Sequence, residues 1–241
     1  IRTNLDILIM TNLKDIEELG LLFDKAKETD EFEFACSLLR IKGPKTIGWD
    51  SMYESQSLIQ QIYRLAEDEI DEALRIRLYL MLYCHITEMD AFYNVIVNLL
   101  RVCRGDRYCT EPFKVEPNDE ENIARYPFSK AVKIKEIARE IGYHRLSNIF
   151  KCIVVKQVRN AFTHSDYTLF NDKFRIINGE GVEIDGIITR EISFDWLHYR
   201  INLALNTATR LLFLISEHRS YYDENKTIKG RMGPNESYIE I

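Results

Sequence analysis

The stretch DEIDEALRIRLYLMLYCHITEMDAFYNVIVNLLRVCR, residues 68–104, decides the fold class. Ile70, Leu74, Leu78, Met81, Met89, Phe92, Ile96, Leu99 and Cys103 recur every three or four residues, the spacing that aligns one face of an α-helix. The pattern predicts a single helix from Asp68 to about Arg104, a rod of ~50 Å at ~1.5 Å per residue, which Gly105 ends.

Working outward, helical patterning continues on both sides. Toward the N-terminus, Ile16, Leu19, Leu22 and Phe23 mark a helix from Leu13 to about Lys27, and Phe34, Leu38 and Leu39 another from Asp30 to Arg40. Lys42-Gly43-Pro44 breaks the pattern, and Ser51-Met52-Tyr53-Glu54 reads as a capping box opening a helix to about Ala66. Toward the C-terminus, residues 106–127 read as a long loop with an acidic run, Asn118-Asp119-Glu120-Glu121. Ser129 is expected to cap a helix that stops at Gly142, and Leu146, Ile149, Phe150, Ile153, Val154 and Ala161 define another from His144 to about Ser165. The period then changes. Residues 167–192 hold β-branched and aromatic runs broken by Asn171-Asp172, Asn178-Gly179 and Asp185-Gly186, a β-meander. Ser193 caps a last long helix, Phe194 to about Tyr222, and the polar residues 223–241 read as a loosely held tail. The expectation is one mainly α domain over 1–241, with an N-terminal helical extension (1–66), a core (67–222) carrying the β insert (167–192), and the tail.

Composition places the chain among ordinary globular proteins: 241 residues, 46% hydrophobic and 29% charged. No apolar run approaches the ~20 residues of a membrane helix. Ile1 to Met10 lack a basic start followed by a long apolar stretch, so no secretion signal is expected. Cys36, Cys84, Cys103, Cys109 and Cys152 include no Cys-x2-Cys pair, which fits reduced thiols in a cytoplasm and predicts neither disulfides nor a structural metal. The net charge of −6 argues against a general nucleic-acid binder, yet residues 125–159 hold nine Lys or Arg against two acids. That window is either a phosphate-attracting surface or a pair of helices with solvated basic faces.

The window ends in Val158-Arg159-Asn160-Ala161-Phe162-Thr163-His164. Arginine holds a phosphate at two points, and histidine takes or gives a proton near neutral pH, so the pair suits work on a phosphodiester. Spacing alone is a weak signal, since Arg139 and His144 repeat it. That second pair straddles Gly142, a helix end, whereas the first lies within a helical pattern. His85 and Glu88 sit three apart on the long helix, as secondary polar groups facing the site or as packing.

Arg159-Asn160 and His164 in a late helix, after a long amphipathic helix and before a hairpin-like insert and a final helix, resemble the HEPN superfamily. Its helical bundles carry an Arg-x4-6-His motif, usually with a polar residue after the arginine. The likeness spans roughly residues 70–222. It departs from some members at Asp166, where they have a tyrosine; here Tyr167 comes one later. The resemblance implies a metal-independent endoribonuclease without cofactor, RNA as partner, a cytoplasmic toxin or antiviral role with an antitoxin or regulatory protein, and two motifs facing across a homodimer. It implies His164 as general base on the ribose 2′-hydroxyl or general acid on the leaving 5′-oxygen, Arg159 as stabiliser of negative charge, and Asn160 as the residue orienting phosphate, ribose or imidazole. Lys151, Lys156 and Tyr167 are the candidate substrate contacts. The alternatives are a catalytically inactive HEPN-like module binding RNA, a nucleotide or a protein, and a structural bundle whose motif pins a dimer.

Helix geometry supports part of this. At ~100° per residue Asn160 and His164 share a face, whereas Arg159 and His164 diverge by about 140°. Either a second copy crossing at a two-fold axis or an unwound helix end near Ser165 would bring the two together.

Overall fold

The computed structural model describes residues 2–41, 45–114, 126–232 and 235–240, with side chains placed over 16–41, 51–114 and 126–230. The chain is mainly helical. The helices are α1 (Arg2–Thr29), α2 (Glu31–Leu39), α3 (Lys45–Glu67), α4 (Glu72–Glu88), α5 (Asp90–Cys103), α6 (Pro127–Glu140), α7 (His144–Cys152), α8 (Lys156–Thr163) and α9 (Phe194–Arg219). Five short strands, β1 (Tyr167–Phe170), β2 (Lys173–Ile176), β3 (Val182–Ile184), β4 (Ile187–Thr189) and β5 (Glu191–Ser193), lie between α8 and α9, and β6 (Thr227–Met232) and β7 (Asn235–Glu240) close the described chain.

α5 is the central element because it is apolar almost all round: every residue from Ala91 to Leu100 is buried. α1, α2 and α6 pack on it, while α9 packs on α1, α2 and α4. Leu19, Leu22 and Phe23 of α1 and Phe34 and Leu38 of α2 belong to the same apolar cluster as Phe92, Ile96 and Ile201, so the N-terminal helices share the core with the later ones. The buried polar side chain of Asn98 on α5 is satisfied by its neighbours. Asn98 donates to the carbonyls of Asn94 and Cys109, at 3.0 Å each, and accepts from the Cys109 amide at 2.8 Å, which clasps the start of the loop after Gly105. All five cysteines are unbridged. Among the described residues no helix is long and apolar enough to cross a membrane.

Several sequence expectations need correction. Residues 68–104 fold as two helices, not one: α4 ends at Glu88, Met89 is extended (φ −73°, ψ 105°), and α5 starts at Asp90. The buried Tyr93 hydroxyl donates to the Thr87 carbonyl at 2.7 Å, taking the acceptor that an unbroken helix would direct at the Ala91 amide. Leu74 and Met81, assigned to one buried stripe, are 45% and 51% exposed. Residues 144–165 also divide, into α7 and α8, with Ile153, Val154 and Val155 between them. α3 begins at Lys45, so Ser51 and Glu54 lie inside a helix rather than at its cap. α6 begins at Pro127, whose missing N–H suits the first helical position, and Ser129 is buried within it. The residues after Asp223 are no loose tail. β6 and β7 form an antiparallel hairpin that packs on α2, with Ile228 only 4% exposed. The breaker at 42–44 and the acidic run at 118–121 lie outside the described residues.

The turn signals hold. Asn171, Asp185 and Gly186 take positive φ in the turns that join paired strands, and Gly179 takes it between β2 and β3, which do not pair. The strands form a sheet ordered β1-β2-β5 with a separate β3–β4 hairpin, instead of one continuous meander.

Three histidines, His85, His198 and His218, each hold one buried ring nitrogen that makes no hydrogen bond. His218 lies between the rings of Phe23 (5.2 Å) and Phe34 (5.4 Å), its Nδ1 buried and unbonded. Burial pushes the imidazoles of His85, His198 and His218 below their ordinary value of 6.5. As pH falls below about 6.5, the unfolded chain takes up these protons before the folded chain does, so stability declines from that pH down to the folded values. Urea midpoints are therefore expected to be lower at pH 5.5 than at pH 7.5, with His218→Phe flattening part of the decline.

Candidate functional site

α8 is a short helix held at both ends. At its start, the Val155 N–H donates to the hydroxyl of Tyr83 on α4 at 2.8 Å, deep in the core, where burial pushes the phenol far above its usual range. Val158 and Ala161 form its buried face. At its end, the His164 amide donates to the Asn160 carbonyl at 3.0 Å, the His164 backbone has left helical values (φ −93°, ψ 3°), and Ser165 turns the chain with φ +60°. Thr163 Oγ1 donates to the Arg159 carbonyl at 2.8 Å, closing the last turn.

The helix end near Ser165 is thus unwound, one of the two arrangements that would bring Arg159 and His164 together. Arg159, Asn160 and His164 all line one cleft of about 540 Å³, joined by Lys156, Thr87 and the aromatic side chains of Tyr126 and Phe128. His164 is exposed, while Arg159 and Asn160 are half-buried. The guanidinium is already engaged: Nη1 donates to Asn160 Oδ1 at 2.9 Å, and Nη2 pairs with Glu88 Oε1. Asn160 Oδ1 is thus the arginine's neighbour-in-sequence acceptor.

The α4–α5 break is what delivers Glu88. Glu88 and Asp90 flank extended Met89, and they reach in turn to Arg159 on α8 and to Lys130 on α6. His85, its companion in the sequence, lies instead beside Glu88 in a neighbouring hollow of about 300 Å³ with Met52 and Ser55, its Nε2 buried and unbonded. The basic window shrinks as well. Lys130 is bound by Asp90, and Lys133 donates to the Pro112 carbonyl at 2.8 Å, with burial lowering its pKa; Arg125 lies outside the described residues. Lys156 is the lysine of that window that lines the cleft.

Two expected substrate contacts are not in the cleft. Tyr167 stacks on Phe174 (centroids 5.0 Å, 10° between planes) and packs on Phe162, so its ring closes the sheet onto α8. Lys151 is exposed on α7, away from the cleft wall. The second Arg-His pair is split by Gly142 (φ +89°) between α6 and α7, both side chains exposed. Among the described residues no three His, Cys, Asp or Glu side chains converge as a metal site would require.

The Glu88 carboxylate competes with any phosphate for the same guanidinium. Exposed ion pairs of this kind are worth about 0.2–1 kcal/mol, and a second anion nearby adds repulsion. Glu88→Ala is accordingly expected to tighten binding of a phosphodiester by roughly 3- to 10-fold at fixed salt, read by anisotropy of a labelled oligonucleotide. Unchanged or weaker binding would mean that Glu88 presents Arg159 rather than occupying it.

The fold and site together define a mainly helical protein with small antiparallel sheets and a cationic cleft at the end of a short helix. Among known protein families, curated proteins and solved structures, none matches the chain.

Proposed function

We propose that the chain is a metal-independent endoribonuclease of the HEPN type. The observation that carries this reading is that Arg159 and His164 open on one water-accessible cleft beside Lys156. RNA supplies its own nucleophile there. His164 removes the proton of a ribose 2′-hydroxyl, whose oxygen attacks the adjacent phosphorus. The bond to the 5′-oxygen breaks, that oxygen takes a proton from a water in the cleft, a 2′,3′-cyclic phosphate remains, and His164 returns its proton to solvent. Arg159 and Lys156 offset the extra charge on phosphorus in the transition state. Arg159 must turn from Glu88 toward the phosphate for this step, and its partial exposure leaves room to do so.

The test is incubation of the pure protein with RNA in excess chelator, followed by analysis of the product ends. Cleavage giving 2′,3′-cyclic phosphates, lost in both His164→Ala and Arg159→Ala, supports the proposal; cleavage unchanged in both variants, or none by the parent chain, sinks it. The occupied guanidinium favours the second reading, a silent module that binds RNA without cutting it. Salt-sensitive RNA binding with no product would select that reading. A homodimer with paired clefts, an antitoxin and a toxin or antiviral role belong to the proposal, not to the geometry. Solution mass tests the first of them.

A further inference from the structure

Of the aromatic rings that stay exposed among the described residues, Tyr126 and Phe128, 66% and 48% exposed, are the two on the wall of the cleft. Covering open aromatic surface gains about 25 cal/mol per Å², and these two rings share one concave site with Lys156, Arg159 and His164, so a ligand held by the cations can also cover the rings. They are not on a mobile arm. Pro127 between them occupies the first helical position of α6 and fixes its own φ, Ser129 is buried one residue on, and Lys130 and Lys133 bind Asp90 and the Pro112 carbonyl. α6 itself packs on α5 and α7. The rings are therefore presented rigidly, with Lys156, Arg159 and His164 sharing the same space.

Resting on the ribonuclease reading, we infer that Tyr126 and Phe128 form a stacking platform for the unpaired bases next to the scissile phosphate, so that the substrate is single-stranded RNA. Every base has a π-face, which makes stacking tolerant of sequence, and bases inside a duplex cannot present that face to a side chain. A planar ring joined to a phosphate matches an aromatic side and a cationic side of one cleft. The volume of about 540 Å³ falls in the range of roughly 300–1,000 Å³ typical of clefts for ligands of nucleotide size. Lys156 and Arg159 then hold the backbone, while the rings hold the bases and set which linkage reaches His164.

The experiment uses the full chain and a labelled oligonucleotide carrying 2′-O-methyl groups, which cannot be cut by 2′-hydroxyl attack. It is offered single-stranded, annealed to its complement, and as an abasic strand with the same phosphates. The parent protein is expected to bind the single strand at least about tenfold more tightly than either other form. Tyr126→Leu with Phe128→Leu keeps apolar volume but removes the π-faces, and is expected to lose roughly 5- to 100-fold for the single strand and little for the abasic strand. Tyr126→Trp with Phe128 intact keeps both π-faces and is expected to bind like the parent. Equal affinity for the base-bearing and abasic strands, or for the duplex, overturns the platform. So does a double variant that binds like the parent. If Lys156→Ala still weakens binding and His164→Ala still stops cleavage of ordinary RNA, the ribonuclease reading survives that loss. A parent chain that binds no strand and cuts no RNA ends both, and leaves the exposed rings to a protein partner.

Discussion

Alanine at position 164 is expected to slow RNA cleavage by about 10²–10⁴-fold, the range that a positioned general acid or base supplies. The melting temperature should barely move. His164 is exposed, follows the last turn of α8, and contributes to that turn through its backbone amide, which alanine retains. Surface substitutions of this kind stay within about 0.5 kcal/mol. A catalytic deficit without a stability deficit separates a proton-transfer role from the structural alternative, in which the motif merely pins helices. Arg159→Ala is a less clean probe. It removes the cation but also leaves Glu88 unpaired beside the cleft and deprives Asn160 Oδ1 of its donor, so its deficit mixes lost attraction with new repulsion. Glu88→Ala combined with Arg159→Ala removes the repulsive part, and the difference between single and double variants gives its size. If His164→Ala cuts RNA at the parental rate, the imidazole carries no proton and the ribonuclease proposal fails.

Local chemistry made much of this fold legible. Ser193 reads as a cap and serves as one, accepting the Trp196 amide at 3.3 Å, and the Asn and Asp-Gly turns fall where the strands reverse. The motif residues Arg159, Asn160 and His164, with Lys156, line one cleft, although a straight helix would set Arg159 and His164 about 140° apart. What stayed hidden depends on partners distant in sequence. No glycine or proline marks residues 88–90, and the break there depends on a hydroxyl donated from Tyr93 and on two acids drawn toward α6 and α8. Periodicity runs straight through such a junction, because Met89 within it and Phe92 after it keep the apolar spacing. Glu88 was consequently visible as a polar group near the stripe, but not as the partner of Arg159. The hairpin after Asp223 was missed for a related reason: its polar composition resembles a tail, and its order comes from packing on α2 rather than from its own apolar content. Tyr167 lies outside the cleft lining. Its position near the motif suggested RNA, whereas the neighbouring rings of Phe162 and Phe174 claim its face.

The largest loss of stability is expected from Tyr83→Ala, because one side chain joins the core to the site. Tyr83 is 1% exposed, and its hydroxyl accepts the Val155 amide at the residue that precedes α8. Removing the ring opens a cavity at a cost of about 3–5 kcal/mol, and the orphaned amide adds ~1–3 kcal/mol. Together these approach the whole stability of a typical domain, about 5–15 kcal/mol, so this variant is expected to be largely unfolded at moderate temperature. Tyr83→Phe isolates the hydroxyl. It keeps the ring in place and should lower stability by only ~1–3 kcal/mol, near 2–4 °C of melting temperature per kcal/mol for a chain of this size. Its effect on chemistry should exceed its effect on folding, since Val155 fixes where α8 starts and therefore where Arg159 and His164 point. Cleavage by Tyr83→Phe, measured well below its melting temperature, is expected to fall while the protein remains folded. A Tyr83→Phe chain with parental midpoint and parental rate would show that Val155 finds another acceptor and that α8 is held by Val158 and Ala161 alone.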